Sequence, residues 1–178
     1  MNTSNLPIVI VGSGMAAYFL AIAIREQDKQ LPVVMLCEKD GRFYPKPMLS
    51  SAFYHDKSLE DIVTASAETM MAKHDLRIIT QARVVSVDPT SHTLTYQQDS
   101  DTLSLAYKSV VLATGSRHRT LAIQGAEHIY QVNDLEAYER LHSALQDAKT
   151  VALIGTGLVG VEFAHDPVSY THLRAHET

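Results

Sequence analysis

Two segments of the chain change from a short apolar run to an apolar pattern of helical spacing. The first is PIVIVGSGMAAYFLAIAIREQ at residues 7–27, and the second is TVALIGTGLVGVEF at residues 150–163. An unbroken apolar run of four to eight residues is typical of a buried strand, and apolar residues that recur every three or four positions are typical of a helix. The pattern therefore predicts two strand–turn–helix units, one near each end of the chain.

Further strands are predicted between these units. PVVMLCE at residues 32–38 is another apolar run. Residues 82–96 alternate between polar and apolar positions, with a turn signal at Asp88-Pro89-Thr90, and TLSLAY at residues 102–107 leads into an apolar run at residues 109–113. This order predicts a β-meander that returns to a buried strand.

One helix and the strand after it are predicted near the second unit. Asn133 and Glu136 have the spacing of a capping box, which indicates a helix N-terminus. The helix is further supported by apolar residues at helical spacing, namely Leu135, Tyr138, Leu141 and Leu145. Residues 150–154 are the apolar run of the second unit and are predicted to form a strand.

The turn of the first unit has the glycine spacing of a dinucleotide-binding loop. Gly12, Gly14 and Ala17 fill the G-x-G-x-x-G/A pattern directly after the predicted strand. The first glycine allows a tight turn, the second lets the backbone approach a pyrophosphate, and the small third residue lets the helix pack on the sheet. Ser13 and Met15 complete the loop. We therefore expect these five residues to bind a dinucleotide.

An acidic residue and a second glycine loop extend this prediction. Glu38 ends the predicted strand at residues 32–38, where a carboxylate can accept hydrogen bonds from a ribose diol. Gly155, Gly157 and Gly160 repeat the fingerprint, and we expect them to bind NAD(H). Glycine rather than alanine at position 160 favours NADH over NADPH.

Charge and cysteine content exclude several classes of partner and location. The chain has 178 residues and a net charge of −5, which argues against a nucleic-acid partner. Cys37 is the one cysteine, so no internal disulfide can form and a reducing compartment, by default the cytoplasm, is expected. The apolar run at residues 8–11 is too short for a signal or membrane segment, so no membrane partner is expected.

A meander followed by Ala-Thr-Gly, after a dinucleotide fingerprint, resembles the glutathione-reductase-like flavoproteins. In that group the first domain binds FAD, and Thr114 and Gly115 would lie beside the flavin nucleotide. The expected fold is therefore α/β, with a glutathione-reductase-like FAD-binding domain of Rossmann type that contains a β-meander. The start of a second Rossmann unit, for NAD, would follow it.

The segment GRFYPKPMLSSAF, at residues 41–53, carries most of the information on chemistry. Disulfide reductases of this group have reactive cysteines there, whereas this segment contains none. Cys37 lies earlier, in a predicted strand, and we expect it to be a buried apolar thiol. Lys46 offers a positive charge suited to a flavin and Pro47 stiffens the backbone beside it. The alternative is that Lys46 is a solvated surface lysine.

Six segments are similar to the ferredoxin-reductase-like FAD/NAD(P)-dependent oxidoreductases, in order and with compatible spacing over residues 7–166. They are IVIVGSGMAAY, GRFYPKPMLS, ARVVSVDP, VLATGS, VNDLEAYERL and VALIGTGLVGVEFAHD. The resemblance implies that the Val84 backbone contacts the adenine, that Lys46 contacts the flavin and that Glu162 reaches toward it. For Glu162 the alternative is an acid that is favoured by the helix dipole alone.

The resemblance also implies a reaction. Electrons would pass from NADH through FAD to an iron–sulfur protein such as rubredoxin, and the cofactors would carry the redox chemistry. No side chain need act as an acid or base, so no catalytic residue is predicted. Two alternatives stay open: a non-catalytic nucleotide-binding module that senses redox state, and a flavin monooxygenase.

The sequence pattern changes after Asp166. VSYTHLRAHET, at residues 168–178, matches one reading frame of a transposase adapter used in sequencing libraries. His172 and His176 have a metal-like spacing, but they lack a third ligand, so no metal site is expected. We expect three segments, namely an FAD-binding domain at 1–118, a linker, helix and truncated NAD(P)-binding domain at 119–166, and a non-native tail at 167–178.

Overall fold

The computed structural model describes residues 5–52, 57–119, 122–155 and 157–169. The chain forms two compact units. The first comprises Met1–Tyr44 and Val63–Ser116, and the second comprises Pro45–Ile62 and Arg117–Thr178. The first unit thus leaves out a segment of the FAD-binding domain expected at residues 1–118. Most of the expected adapter-derived tail, with His172 and His176, lies outside the described residues.

The first unit is built on a parallel sheet of four strands in the order β3 (Arg77–Ile79), β2 (Val33–Leu36), β1 (Ile8–Val11) and β7 (Ser109–Leu112). The other strands of the unit are β4 (Ala82–Asp88), β5 (Thr93–Gln98) and β6 (Asp101–Ala106). β1 pairs in parallel with β2 on one side and with β7 on the other. The chain leaves β1 toward one side of the sheet and returns on the other, so the β1 end is a topological switch point.

The predicted β-meander is confirmed, but the strand to which it returns, β7, is not buried, because it lies at the edge of the parallel sheet, and Leu112 is 66% exposed. Strands β4, β5 and β6 form a separate antiparallel sheet of three strands. The turn between β4 and β5 is closed by Asp88, whose Oδ1 accepts hydrogen bonds from the amides of Thr90 at 2.8 Å and Ser91 at 3.2 Å. An aspartate that binds the amides of the next residues is a common way to fix such a turn.

The parallel sheet is covered on both faces, and the side chains of β1 alternate between them. Helices α1 (Met15–Gln27) and α3 (Ala67–His74) cover one face, where Ile10 is fully buried. The meander covers the other face, where Val9 and Val11 pack with Leu94 of β5. Because successive residues of a strand point to opposite faces, an unbroken apolar run is what a strand buried on both sides needs.

The second unit contains helices and loops. Its elements are a 3₁₀ helix at Lys46–Ser50, α2 (Leu59–Ile62), a 3₁₀ turn at Ala126–His128, α4 (Leu135–Gln146) and α5 (Leu158–Ser169). The predicted capping box of α4 is wrong by one residue, because the N-cap is Asp134 rather than Asn133. The Asp134 Oδ1 accepts a hydrogen bond from the Ala137 amide at 2.9 Å. Both residues suit an N-cap, and Asn133 contacts Lys46 instead.

The strand predicted at residues 150–154 is also wrong. Residues 150–155 have no regular secondary structure, and no strand of the described residues pairs with them. Val151, Leu153 and Ile154 are exposed to 42%, 44% and 63%. A strand depends on hydrogen bonds from a neighbour, so an apolar run without a partner does not form one. Among the described helices, none is long and apolar enough to cross a membrane.

Candidate functional site

The first glycine loop connects β1 to α1 at the carboxyl edge of the parallel sheet. Gly12 has a φ of +130°, a conformation that L side chains rarely adopt. A Cβ atom at this position would lie 2.2 Å from the Ala113 carbonyl oxygen. Position 12 therefore requires glycine both for its backbone conformation and for its close approach to the chain after β7.

Gly14 is the N-cap residue of α1, and open space surrounds it. Within the described residues, no heavy atom lies within 4 Å of the position that a Gly14 Cβ would take. The residue has no side chain to cap the helix, and the first turn of α1 contains no acidic residue. The backbone N–H groups at this helix end can therefore donate to an anion, which the positive end of the helix dipole also favours.

The other predicted residues of this loop differ in how deeply they are buried. Ala17 is fully buried against the sheet, as expected for the third position of the fingerprint. Ser13 and Met15 are half-buried on either side of Gly14. The loop thus combines a rigid base at Gly12 with an accessible helix end at Gly14, which fits a pyrophosphate.

The chain segments after the neighbouring strands lie at the same edge of the sheet. β1 runs parallel to β2 and β7, with Val11 in register with Leu36 and Leu112. Glu38 is exposed just after β2, and Thr114 and Gly115 are exposed just after β7. Ligands of open α/β sheets bind at this edge. The fold therefore brings the glycine loop, the predicted ribose acid and the Thr-Gly turn to one edge.

An arginine that the sequence analysis missed lies beside Glu38. Arg83 Nε is 3.7 Å from Glu38 Oε1, and both side chains are more than half exposed. The next residue, Val84, pairs with Tyr96, and the register of the ladder shifts between Val84 and Ser86. Such a bulge leaves backbone groups outside the ladder, as a backbone contact from Val84 to a base would require. Glu38 follows β2 and Arg83 lies in β4, 45 positions further along the chain, so no local sequence pattern indicates their pairing.

Cys37 is a buried thiol, as predicted. It is fully buried, and burial raises its pKa to about 12. The negative charge of Asp40 acts in the same direction, whereas a hydrogen bond with the Ser13 side chain opposes the shift. Since the thiolate is the reactive form of cysteine, this thiol is a poor nucleophile at neutral pH.

Lys46 and Pro47 begin the 3₁₀ helix of the second unit. Pro47 lies in the first turn, where its fixed φ suits a helix start and its missing N–H costs no hydrogen bond. The Lys46 side chain is exposed, and its Nζ donates a hydrogen bond to Asn133 Oδ1 at 3.1 Å. The ammonium group is therefore held by a neutral partner at the start of α4.

Ser50 ends this 3₁₀ helix and contacts Glu162 of α5. Ser50 is 8% exposed, and its Oγ lies 2.8 Å from Glu162 Oε2. The same hydroxyl lies 2.9 Å from the Pro47 carbonyl oxygen. The sequence indicates a role for Glu162 but not its contact with Ser50 or the contact of Asn133 with Lys46, because these contacts join segments that are far apart along the chain.

The first glycine of the second loop has a φ similar to that of Gly12, but no strand of the described residues leads into this loop. Gly155 has a φ of +122°, and Gly157 directly precedes α5. A Cβ atom at Gly160 would lie 2.5 Å from the Gly155 carbonyl oxygen, so the third position again requires a small residue. No cluster of three or more His, Cys, Asp or Glu that could hold a metal occurs among the described residues.

Comparison with known proteins identifies a family and a fold. The model of the pyridine nucleotide-disulphide oxidoreductase family matches residues 6–172. The rubredoxin-NAD(+) reductase of Alcanivorax borkumensis is 36% identical over 162 residues, which cover 90% of this chain and 41% of that protein. The rubredoxin-NAD(+) reductase of Acinetobacter baylyi is 37% identical over 164 residues, with 90% and 42% covered.

A solved structure gives the same result. The ferredoxin reductase of Rhodopseudomonas palustris superposes with a TM-score of 0.84 at 25% identity, covering 95% of this chain and 41% of that one. The α/β fold and the family predicted from the sequence are thus confirmed. The chain spans about two-fifths of the length of the curated relatives that it matches.

Proposed function

Since the chain belongs to the pyridine nucleotide-disulphide oxidoreductase family, we propose that it is part of an enzyme that passes electrons from NADH through FAD to an iron–sulfur protein such as rubredoxin. The observation that carries this proposal is the similarity to two rubredoxin-NAD(+) reductases, which extends over 90% of the chain. In this proposal residues 1–118 serve FAD, residues 119–166 begin the NAD(P)-binding domain and residues 167–178 are not native.

In the first unit, the residues at the carboxyl edge of the parallel sheet would hold FAD. The N–H groups at the α1 end, exposed at Gly14, would donate to the pyrophosphate. Glu38 would accept from a ribose diol, and the backbone at the Val84 bulge would contact the adenine. Thr114 and Gly115 would border the flavin nucleotide. The open space at Gly14 and the bulge next to Val84 support these roles.

In the second unit, we propose that Lys46, Pro47 and Glu162 serve the flavin and that the loop from Gly155 to Gly160 serves NAD(H). FAD supplies the capacity to take two electrons from NADH and to release them one at a time. The part of the protein is to orient the two cofactors and to place charge beside them. Lys46 would contribute a positive charge and Pro47 a rigid backbone.

The burial of Cys37 supports an iron–sulfur protein, rather than a disulfide, as the electron acceptor. A disulfide relay needs an accessible thiolate, whereas Cys37 is buried and has a raised pKa. Residues 41–53 supply no other thiol. A one-electron iron–sulfur acceptor needs none, which favours this class over disulfide substrates. The absence of a cysteine pair also favours a reducing compartment, which we propose is the cytoplasm.

The experiment is to purify the full-length protein, quantify bound flavin and follow NADH oxidation with each of three acceptors. Reduction of rubredoxin or a ferredoxin, with much slower reduction of oxidised glutathione, is expected. NADPH in place of NADH tests the nucleotide preference. Flavin binding without turnover would favour the sensor alternative, and oxygen consumption that requires an organic substrate would favour a monooxygenase.

A further inference from the structure

The Ser50 side chain makes one local hydrogen bond and one long-range hydrogen bond. Its Oγ lies 2.9 Å from the Pro47 carbonyl oxygen, in the same 3₁₀ helix. A serine can bind the carbonyl three residues earlier in any such turn, so this bond needs no other segment. Glu162 Oε2, at 2.8 Å, lies 112 positions away along the chain. The long-range bond therefore forms only when the 3₁₀ helix and α5 pack together.

The partner in the long-range bond is the stronger acceptor. A hydroxyl has one proton, so it is shared between the Pro47 carbonyl oxygen and the Glu162 carboxylate. Hydrogen bonds to an ionised carboxylate are roughly twice as strong as those to a neutral group. A glutamate at an exposed helix position otherwise samples several rotamers of similar energy. The buried Ser50 hydroxyl, which binds one oxygen of the Glu162 carboxylate, favours one of these rotamers.

We propose that Ser50 is a positioning residue that holds the Glu162 carboxylate in one orientation for the transfer of electrons from NADH to the flavin. The inference rests on the proposed function, in which Glu162 serves the flavin. Lys46, at the other end of the same 3₁₀ helix, binds Asn133 Oδ1 at 3.1 Å. The two charged groups are thus each fixed by a neutral partner, and Ser50 is the one that fixes the acid.

The test is a double-mutant cycle in the full-length holoenzyme. Its variants are Ser50→Ala, Glu162→Ala and both together, with Ser50→Thr as the control that retains the hydroxyl. We expect Ser50→Ala to slow flavin reduction by NADH about three- to tenfold, and Ser50→Thr by less than about twofold. If Ser50 acts through Glu162, the double variant is within about twofold of Glu162→Ala alone.

A second readout does not depend on the cofactor. The thermal unfolding midpoints of the four apo-proteins form the same cycle, and they should be non-additive if the hydrogen bond exists. Ser50→Cys, which fills the same space with a weaker donor, replaces Ser50→Ala if the latter does not fold. Because Glu162 lies at an exposed position, we expect Glu162→Ala to fold, and Ser50 can then be substituted in that variant.

The outcomes separate this inference from the proposed function. If Ser50→Ala slows flavin reduction by the same factor with and without Glu162, the effect of Ser50 does not depend on the Glu162 carboxylate. Ser50 would then act through its other hydrogen bond, to Pro47, and the inference would be overturned. Coupling in the apo-proteins without any change in flavin reduction also overturns it, because the bond would then be structural. A wild-type protein that binds flavin but is not reduced by NADH would instead overturn the proposed function, whatever the apo cycle gives.

Discussion

The two glycine loops have the same spacing, and their first glycines have similar φ values, yet the loops differ in their surroundings. Gly12 and Gly155 have φ values of +130° and +122°. The third position is tightly packed in both, because Ala17 is fully buried and a Cβ at Gly160 would lie 2.5 Å from the Gly155 oxygen. The first glycine of the pattern therefore adopts a positive φ in both loops.

The sheet distinguishes the two loops. β1 has parallel neighbours on both sides, and the Ala113 carbonyl oxygen lies 2.2 Å from a Cβ built on Gly12. At Gly155, by contrast, the described residues leave that space empty to 4 Å. Val9 and Ile10 are fully buried, whereas Ile154 and Leu158 are 63% and 86% exposed. The first loop is thus fixed by tertiary contacts, whereas the described residues make no such contact at Gly155.

Alanine at the first glycine of each loop should give the largest difference. Gly12→Ala combines an unfavourable φ with a clash against backbone, and we expect it to destabilise its unit by about 3 kcal/mol or more. Gly155→Ala has the unfavourable φ without the clash, so about 1–2 kcal/mol is expected. Urea unfolding of both variants of the 178-residue chain, followed by circular dichroism, measures both losses. Equal losses of stability in the two variants would show that the contact with the chain after β7 adds nothing to the cost at Gly12.

Aspartate at the second glycine tests binding rather than folding. Gly14 has open space around it, so Gly14→Asp should fold while placing a carboxylate at the proposed pyrophosphate site. Two like charges about 4 Å apart repel by about 4 kcal/mol near a protein surface, or roughly a thousandfold in affinity. Loss of flavin absorbance with unchanged circular dichroism is expected. Gly14→Ala is the uncharged control, and flavin retained by Gly14→Asp would contradict the assignment.

The same substitution at Gly157 shows whether the loops bind different nucleotides. Gly157 also has no heavy atom of the described residues within 4 Å of a built Cβ. Gly157→Asp in the full-length protein should keep its flavin and lose affinity for NADH. If Gly157→Asp lost flavin instead, the assignment of the second loop to NAD(H) would be wrong.

The comparison also explains which predictions from the sequence succeed. The two turns, β1, the meander and the burial of Cys37 depend on residues that are close in sequence or on apolar runs, so patterns reveal them. The strand at residues 150–154 fails because a strand needs a partner that the pattern cannot supply. β3 and α3 carry no prediction at all, since a three-residue strand and an eight-residue helix give little periodicity.

The side-chain contacts of the candidate site are less predictable still. Asn133 and Asp134 are both suitable N-caps, and their roles differ because Lys46 binds Asn133. Glu38 and Arg83 meet only when two sheets are in place. Ser50 has no local signal for a contact with Glu162, which is 112 positions away. The glycine loops can therefore be predicted from the sequence, whereas the contacts of Lys46, Glu38 and Glu162 depend on the tertiary structure.

A smaller effect is expected for Lys46, which is proposed to place a positive charge beside the flavin. Lys46→Met removes a positive charge, which disfavours negative charge on the reduced cofactor and lowers the flavin midpoint potential. A loss of about 1.4 kcal/mol corresponds to about 30 mV for a two-electron couple. Asn133→Ala keeps the charge and frees it from its partner, so its shift should be smaller. An unchanged potential in Lys46→Met would return Lys46 to the role of a solvated lysine.

The smallest effect concerns the pH dependence of the first unit. Burial raises the pKa of Cys37 from about 9 to about 12. Between these pH values the unfolded chain has released the thiol proton while the folded chain retains it, so the free energy of unfolding falls as pH rises. Below about pH 9 the thiol is protonated in both states and its contribution is constant.

Cys37→Ala tests this contribution. Burial raises the pKa of Tyr18 and the negative charge of an ionised Cys37 raises it further, so the difference between wild type and Cys37→Ala contains the thiol and its coupling to the tyrosine. The methyl group leaves a small cavity, which lowers stability by the same amount at every pH and does not change the slope. Urea unfolding from pH 8 to pH 11 should therefore show a shallower alkaline loss in Cys37→Ala. Parallel curves would mean that the thiol ionises as readily in the folded unit as in the unfolded chain. That result would contradict the burial of Cys37 in the first unit.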